Sequence, residues 1–198
     1  NRRGTPEIYA NPKIVLQKIN NMALATNFDQ GWISEVKNFH LEKIKKAKIK
    51  KQIKIGDDSK IHPNYIFTCI RKLYSDNFVG IADGGDILSF ARVGLKSKYY
   101  LDSGVFGCLG IGIPYSIVAA EIHKDIPTIC VIGDGSFGFN DMELDTAVRN
   151  KSNICIIISN NAGWNIEIHD QKLNYGNRVY GATLRHTNYA QMAEGLGA

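Results

Sequence analysis

The sequence of 198 residues lacks both a long apolar run and a paired-cysteine pattern. No apolar run approaches the ~20 residues that a helix needs to cross a bilayer, and no apolar signal segment follows the first residues. The four cysteines lie far apart, form no C-x-x-C motif and stand in apolar surroundings: Cys69, Cys108, Cys130 and Cys155. We expect buried free thiols in a reducing compartment rather than a disulfide framework or a zinc site. The protein is therefore predicted to be cytoplasmic and not to associate with a membrane.

Acidic residues are scarce in one stretch of the chain. The formal net charge of +5 comes largely from residues 43–54, which carry many lysines and almost no Asp or Glu. The remainder is close to neutral, which argues against a nucleic-acid-binding face spread over the fold. A basic helix could bind phosphate or RNA, but a solvated helix face is the more common arrangement. We predict no nucleic-acid partner.

Residues 128–161 organise the rest of the chain. Their apolar runs, residues 129–132 and 154–158, are each long enough for one buried strand, and a Gly-Asp-Gly turn and a segment with helical spacing separate them. Strand, turn, helix and strand make one βαβ unit of a parallel sheet. The predicted fold is therefore α/β, a parallel sheet with helices on both faces. Polar residues gather at the carboxyl ends of these strands, where open α/β sheets bind ligands.

Further elements follow from the pattern upstream and downstream of this unit. A helix after His62-Pro63 is predicted to turn Ile66, Phe67, Ile70 and Leu73 inward. Residues 78–82 form the first strand, residues 99–101 a short strand, and residues 188–196 an amphipathic helix. Residues 174–187 lack helical or strand periodicity and are predicted to form a loop over the site.

Two interpretations compete for the Gly-Asp-Gly turn. Gly133, Gly135 and Gly138 spell G-x-G-x-x-G between a strand and a helix, which is the dinucleotide fingerprint. That fingerprint needs an acidic residue at the end of the second strand for the ribose hydroxyls, whereas residues 159–161 read Ser-Asn-Asn. It also leaves Asp134 unexplained, because a carboxylate repels a diphosphate unless a cation lies between them. A Rossmann-like nucleotide-binding module remains the alternative of a different class.

A divalent metal ion resolves both difficulties. Asp134 at one strand end and Asn161 at the next can place two oxygens on the same side of the sheet. Magnesium takes oxygen ligands at about 2.0–2.1 Å and commonly shares substrate phosphates. The amides of Gly135 and Ser136, with the helix N-terminus behind them, would bind the remaining phosphate oxygens. These residues predict a diphosphate held through Mg²⁺.

The motif G-D-G, followed at this distance by N-N, resembles the diphosphate motif of thiamine-diphosphate-dependent enzymes. The resemblance implies thiamine diphosphate and Mg²⁺ as cofactors, with the metal bound by Asp134, Asn161 and the carbonyl of Gly163. The structural alternative is that Asp134 caps a helix and the Asn pair makes a turn.

The resemblance implies further cofactor contacts in two glycine-containing segments. In D-G-G-D, Gly85 and Asp86 would lie near the diphosphate, with an ordinary tight loop as the alternative. In L-D-S-G-V-F-G-C-L-G-I-G, the side chain of Leu109 would wedge between the two cofactor rings, and the carbonyl of Gly107 would accept from the aminopyrimidine. For Leu109 the alternative is a plain core position.

The pattern N-N-x-G-aromatic-x-I-E resembles pyruvate-decarboxylase-like members of the family. It implies that Ile166 lines the substrate pocket over the reactive carbon and that Glu167, in an apolar pocket, moves protons during the reaction. The alternative for Glu167 is a first-turn glutamate favoured by the helix dipole.

The resemblance covers residues 61–198 as a diphosphate-binding domain that is incomplete at its C-terminus. Residues 1–25 resemble the tail of a preceding middle domain, and residues 26–60 form a helical basic connector. Because the first residue is not Met and the last segment stops within a pattern, we expect a piece of a longer protein. The family's activating Glu comes from a domain of a neighbouring subunit. The isolated chain is therefore expected to bind cofactor weakly and not to turn over, and the whole protein to be a homodimer or homotetramer with sites between subunits.

Within the family, the sequence most resembles acetolactate synthase, which implies decarboxylation of a 2-oxoacid with carboligation. The resemblance to acetolactate synthase rests on D-G-G-D, on the glycine-rich segment and on G-D-G-S-F-G-F followed by E-L-D-T-A-V-R. A 2-oxoacid decarboxylase and a 2-hydroxyacyl or benzaldehyde-type lyase are the alternatives. The implied substrate is accordingly a small 2-oxoacid or a 2-hydroxyacyl compound.

Overall fold

The computed structural model describes residues 7–23, 29–51, 55 and 60–198. Parts of the predicted middle-domain tail and basic connector (residues 1–6, 24–28, 52–54 and 56–59) lie outside the described residues. The chain forms two compact units, Asn1–Lys48 and Ile49–Ala198. Within the described residues, no helix is both long enough and apolar enough to span a membrane.

The first unit contains helix α1 (Pro12–Ala23) and most of helix α2 (Gln30–Lys51). Helix α1 begins at Pro12, and the Oδ1 atom of Asn11 accepts from the amide of Lys13 at 2.9 Å. Proline needs no amide partner in the first turn, which explains this start. None of the residues of α1 is buried within the unit.

The second unit is a four-stranded parallel sheet with helices on both faces, which confirms the predicted fold class. Its strands are β1 (Val79–Asp83), β2 (Tyr99–Leu101), β3 (Thr128–Gly133) and β4 (Ile154–Ser159). Its helices are α3 (Pro63–Tyr74), α4 (Asp86–Gly94), α5 (Gly112–Ile122), α6 (Asp134–Phe137), α7 (Glu143–Arg149), α8 (Asn165–Asn174) and α9 (Tyr189–Gly195), with a 3-10 turn at Gly104–Phe106.

The strand order β2-β1-β3-β4 places a topological switch point between β1 and β3. The chain leaves β1 toward β2, then returns past β1 to form β3 on its other side. The connections that follow β1 and β3 therefore diverge, which opens a crevice at the carboxyl ends of these two strands. Residues 83–86 and 133–136 border this crevice.

Each face of the sheet carries its own apolar cluster. Alternation along β3 sends Ile129 and Val131 into one cluster, with Phe67 of α3 and Leu88 of α4. The intervening residues of β3 enter the other cluster, which includes Ile113 of α5 and members of α6, α7 and α9. Burial on both faces explains why β1 and β3 read as continuous apolar runs.

Two structural predictions were wrong in part. Leu73 is 77% exposed, whereas Phe67 and Ile70 are buried. Leu73 lies in the last turn of α3, beyond the part of the helix that the apolar cluster covers. Among the cysteines, Cys130 is buried, but Cys108 and Cys155 are exposed, although all four are free thiols.

Candidate functional site

A cavity of about 230 Å³ lies at the carboxyl ends of the strands. It is bordered by the turns after β1 and β3, by the glycine-rich segment before α5, and by the loop between β4 and α8. All eleven residues that the sequence singled out line this one cavity: Gly85, Asp86, Gly107, Leu109, Asp134, Gly135, Ser136, Asn161, Gly163, Ile166 and Glu167. Residues from four separate segments therefore meet at the switch point.

Asp134 is the buried carboxylate of this cavity. It follows β3 directly, is 3% exposed, and starts the one-turn helix α6. Its Oδ2 atom is buried without a hydrogen-bond partner among the described residues. A buried carboxylate oxygen without a partner is costly, so this position needs a cation or a donor from outside the described chain. The segment with helical spacing predicted after the Gly-Asp-Gly turn is confirmed as α7 (Glu143–Arg149), and the turn itself contains the single helical turn of α6.

Asn161 and Gly163 approach Asp134 from the neighbouring strand. Parallel pairing aligns Gly133 at the end of β3 with Ser159 at the end of β4, so the residues just beyond each strand lie side by side. The Oδ1 atom of Asn161 accepts from the amide of Gly163 at 3.1 Å in a tight turn. This bond uses one of the two acceptor positions of the amide oxygen, which leaves the other for a metal ion.

Gly135 is required by the close approach of an aromatic ring. A Cβ atom at this position would lie 2.6, 2.7 and 2.9 Å from three ring atoms of Trp164. Trp164 also lines the cavity, so the ring covers the turn that carries the predicted phosphate-binding amides. Ser136, the second of these residues, is 2% exposed. Trp164 is the aromatic residue of the motif N-N-x-G-aromatic-x-I-E, but its contact with this turn was not predicted from the sequence.

The D-G-G-D turn after β1 contacts the first turn of α8 on the other side of the cavity. Gly84 has a φ of +126°, a conformation that favours glycine. A Cβ atom on Gly85 would lie 2.8 Å from the Cδ1 atom of Ile166. The Oδ2 atom of Asp86 accepts from the side-chain amide of Asn165 at 2.7 Å. These contacts join the first turns of α4 and α8 across 79 positions of sequence, and Asn165 is a residue that sequence reasoning missed.

The glycine-rich segment is fixed at both ends. At its start, Asp102 accepts from the amide of Gly104 at 2.7 Å and from Arg92 at 2.8 Å. At its end, Gly110 has a φ of +88°, and its carbonyl accepts from the side chain of Asn140 at 2.7 Å. The two predicted cofactor contacts, Gly107 and Leu109, lie between these anchors.

Ile166 and Glu167 occupy the first turn of α8 at the rim of the cavity. Ile166 is 47% exposed, and the side chain of Glu167 is also exposed. The apolar enclosure expected around Glu167 is thus not present within the described residues, because the described elements leave this side of the rim open. Its position in the first turn fits the helix-dipole interpretation as well as the catalytic one.

Asp83 is a buried acid that sequence reasoning treated only as a turn residue. It ends β1, is fully buried, and its Oδ2 atom accepts from the amide of Gly112 at the start of α5 at 2.8 Å. The Oδ1 atom has no hydrogen-bond partner in the described part of the chain. Burial raises the pKa of the Asp83 carboxyl above its ordinary value of 3.8, and the hydrogen bond from Gly112 opposes that rise. The charged form of Asp83 is therefore disfavoured in the fold.

We expect the free energy of unfolding of Asp83→Asn to increase relative to that of the unchanged protein as the pH rises from 4 to 7. Because the folded pKa is raised, the folded state holds this proton more tightly than the unfolded state. The stability that the protonated form contributes is present below pH 3.8 and is lost as the pH rises through the folded pKa. Asparagine cannot ionise, so the variant avoids that loss. The measurement is the free energy of unfolding in urea at several pH values.

The exposed acid Asp76 provides the matched control for this prediction. Asp76→Asn should leave the pH dependence of stability as in the unchanged protein. A pH profile of Asp83→Asn that runs parallel to that of the unchanged protein would contradict the prediction, whatever the absolute stability of the variant.

The residues of the cavity fit a divalent metal ion with a diphosphate. The unpartnered oxygen of Asp134 supplies a buried negative charge, and Asn161 supplies an amide oxygen. The carbonyl of Gly163 accepts no hydrogen bond from any described residue. These are the hard oxygen donors that magnesium prefers. In the described part of the chain, no three His, Cys, Asp or Glu side chains cluster as a metal site, so this donor set depends on the amide and the carbonyl.

Comparison with known proteins identifies the family of this fold and cavity. Residues 84–198 match the family model described as thiamine pyrophosphate enzyme, C-terminal TPP binding domain. This match covers more than half of the chain. The chain belongs to the thiamine pyrophosphate enzyme family. Thiamine pyrophosphate is the same compound as thiamine diphosphate, so the family resemblance drawn from G-D-G and N-N is confirmed.

Individual curated proteins resemble the chain over most of its length. A probable acetolactate synthase of Mycobacterium bovis is 31% identical over 173 residues, which is 85% of this chain and 31% of that protein. The 2-hydroxyacyl-CoA lyase 2 of Homo sapiens is 29% identical over 170 residues, 84% of this chain and 26% of that protein. The Bos taurus 2-hydroxyacyl-CoA lyase 2 is 33% identical over 141 residues, 70% of this chain and 22% of that protein. The chain thus spans less than a third of the length of these curated relatives.

Proposed function

We propose that this chain is the diphosphate-binding part of an enzyme that uses thiamine diphosphate and Mg²⁺ to make or break carbon–carbon bonds next to a carbonyl group. The observation that carries the proposal is the buried, unpartnered oxygen of Asp134 in a cavity shared with Asn161 and Gly163. When bound, thiamine diphosphate supplies a nucleophilic carbon and an electron sink for this chemistry.

The residues of the chain would divide three tasks. Asp134, Asn161 and the carbonyl of Gly163 would hold Mg²⁺, and the amides of Gly135 and Ser136, with the turn at Gly85 and Asp86, would hold the diphosphate. Leu109 and the carbonyl of Gly107 would orient the rings. At the open rim, Ile166 would line the substrate pocket, and the carboxyl group of Glu167 would hold or deliver a proton.

Acetolactate-synthase-like carboligation of 2-oxoacids is the first candidate reaction. The mycobacterial relative named as a probable acetolactate synthase supports it. Lysis of a 2-hydroxyacyl compound is the second candidate, because relatives named 2-hydroxyacyl-CoA lyase are similar at nearly the same level of identity. Simple 2-oxoacid decarboxylation and benzaldehyde-type lysis are further alternatives within the family.

Several properties of the whole protein belong to the same proposal. A homodimer or homotetramer with sites between subunits would supply the activating Glu, so the isolated chain is expected to bind cofactor weakly and to be inactive. The exposed position of Glu167 is compatible with closure by a further domain or subunit. Four free thiols are compatible with a cytoplasmic location.

Two measurements on the full-length protein test the proposal. Thiamine diphosphate with Mg²⁺ is expected to raise the melting temperature, since a ligand that binds the folded state stabilises it, whereas NAD is expected to have no effect. Stabilisation by NAD alone would favour the nucleotide-binding alternative. Mass analysis of products from a panel of 2-oxoacids and 2-hydroxyacyl thioesters then separates carboligation, decarboxylation and lysis.

A further inference from the structure

Residues 180–187, here called the strap, run alongside the loop 160–164 that carries two of the proposed metal ligands. Gly163 and Thr183 form an antiparallel bridge. The amide of Trp164 donates to the carbonyl of Ala182 at 2.9 Å, and the amide of Leu184 donates to the carbonyl of Ala162 at 2.7 Å. The strap is therefore joined to the loop by one antiparallel bridge with a backbone hydrogen bond on each side of it.

This pairing determines the direction in which the polar groups of Gly163 point. Both hydrogen bonds of the bridge come from the residues that flank Gly163 and Thr183. The bridged residues are thus a non-hydrogen-bonded pair, whose own N–H and C=O groups point away from the opposite strand. On that far side, the amide of Gly163 donates to Asn161. The carbonyl of Gly163 points to the same side, away from the strap, and both Asn161 and Gly163 line the cavity.

Two side-chain amides hold the strap in place. Gln171 of α8 makes two hydrogen bonds to the backbone of Tyr180. Its Oε1 atom accepts from the Tyr180 amide at 2.7 Å, and its Nε2 atom donates to the Tyr180 carbonyl at 3.2 Å. At the other end, the Nδ2 atom of Asn160 donates to the carbonyl of Thr187 at 3.1 Å, while its Oδ1 atom accepts from Ala162 at 3.3 Å. The strap is therefore attached both to α8 and to the metal-binding loop itself.

Close packing leaves little room between strap and loop. Ala182 is 3% exposed. A Cβ atom at Gly163 would lie 3.1 Å from the carbonyl oxygen of Ala182 and 2.7 Å from the Cδ1 atom of Ile168. A loop held this closely cannot rotate its carbonyl without moving the strap.

We propose that Gln171 and Asn160 are positioning residues, which hold the strap so that the carbonyl of Gly163 is aimed at the metal ion. The inference rests on the proposed function, because it takes that carbonyl as a ligand of Mg²⁺. It gives a role to the first Asn of the N-N pair and to a glutamine outside the cavity lining. Outer-shell groups that orient metal ligands typically change metal affinity by 10- to 100-fold when removed.

Gln171 gives the sharper test, because it lies ten positions from Asn161 and does not line the cavity. Gln171→Ala in the full-length protein should raise the Mg²⁺ concentration for half-maximal thiamine diphosphate binding by about tenfold. At saturating Mg²⁺, the affinity for thiamine diphosphate should stay within about twofold, because the remaining ligands still hold the ion. Amide hydrogen exchange at Trp164 and Leu184 should become faster. Gln171→Glu keeps the acceptor for the Tyr180 amide. Its Mg²⁺ concentration for half-maximal binding should therefore lie between those of the unchanged protein and Gln171→Ala.

Gln191→Ala is the matched control, since the exposed side chain of Gln191 on α9 is not part of the strap. It should leave Mg²⁺ dependence and amide exchange unchanged. The inference is overturned if Gln171→Ala shows the Mg²⁺ dependence of the unchanged protein, whether or not exchange at the strap has become faster. If the unchanged protein itself binds no thiamine diphosphate with Mg²⁺, the proposed function fails first, so the two failures are distinguishable.

Discussion

Asp134→Asn is expected to remove the Mg²⁺-dependent part of thiamine diphosphate binding by the full-length protein. The variant keeps the size of the side chain but replaces the buried, unpartnered carboxylate with a neutral amide. Loss of the only charge that the proposed ligand set contributes should weaken binding at fixed Mg²⁺ by about 100-fold or more, which corresponds to roughly 3 kcal/mol. Isothermal titration calorimetry with and without EDTA measures this directly.

The comparison with EDTA makes the prediction specific to the metal. In EDTA, the unchanged protein and Asp134→Asn should bind thiamine diphosphate equally weakly, because neither then holds a bridging ion. Asn161→Ala should behave like Asp134→Asn, whereas the exposed control Asp76→Asn should bind as the unchanged protein does. Full affinity in both Asp134→Asn and Asn161→Ala would refute the ligand assignment.

Gly135→Ala is expected to lower both stability and cofactor affinity. The added Cβ would lie 2.6–2.9 Å from ring atoms of Trp164, a separation at which the ring or the turn must move. Overpacking of this kind typically costs about 1–3 kcal/mol. Because the same turn carries the amides proposed to bind phosphate, its displacement should also weaken thiamine diphosphate binding at saturating Mg²⁺ by about tenfold. Urea denaturation and calorimetric titration give the two quantities.

Gly195→Ala is the matched control for this substitution. Gly195 is the last residue of α9, and a Cβ atom there would meet nothing within 4 Å. Because alanine reduces the freedom of the unfolded chain, Gly195→Ala should leave the protein as stable or slightly more stable. A Gly135→Ala protein with unchanged stability and affinity would contradict the inferred packing of Trp164 on the turn.

The strands and their faces were the most predictable features of the fold. The apolar runs 129–132 and 154–158 became β3 and β4 with ends shifted by at most one residue, and residues 99–101 became β2. The run 129–132 is decisive because β3 is a central parallel strand, and both faces of such a strand must be covered. Local sequence patterns predicted burial less well on strands that neighbouring elements cover only in part. Cys155 lies on β4 at the edge of the sheet and is exposed, although its apolar neighbours indicated burial.

The candidate site was predictable as a set of residues but not as a set of contacts. Asp134, Asn161 and the turn amides followed from the strand ends, and the other site residues followed from the family resemblance. The fold brings all of them to one cavity because parallel strands end at the same edge. The contacts of Trp164 with Gly135, of Asn165 with Asp86, and of the strap with Gly163 join segments that are far apart in sequence. No local periodicity encodes such pairs. The buried state of Asp83 likewise depends on the packing of α5 against β1.

A crystal structure of the full-length protein with thiamine diphosphate and Mn²⁺ in place of Mg²⁺ tests the central claim most directly. We expect one anomalous scattering peak at direct coordination distance, roughly 2 Å, from a carboxylate oxygen of Asp134, the Oδ1 atom of Asn161 and the carbonyl oxygen of Gly163. Two diphosphate oxygens of the cofactor should complete the contact with the same ion. A cofactor bound without a metal at this position, or a metal that touches none of these three residues, would contradict it.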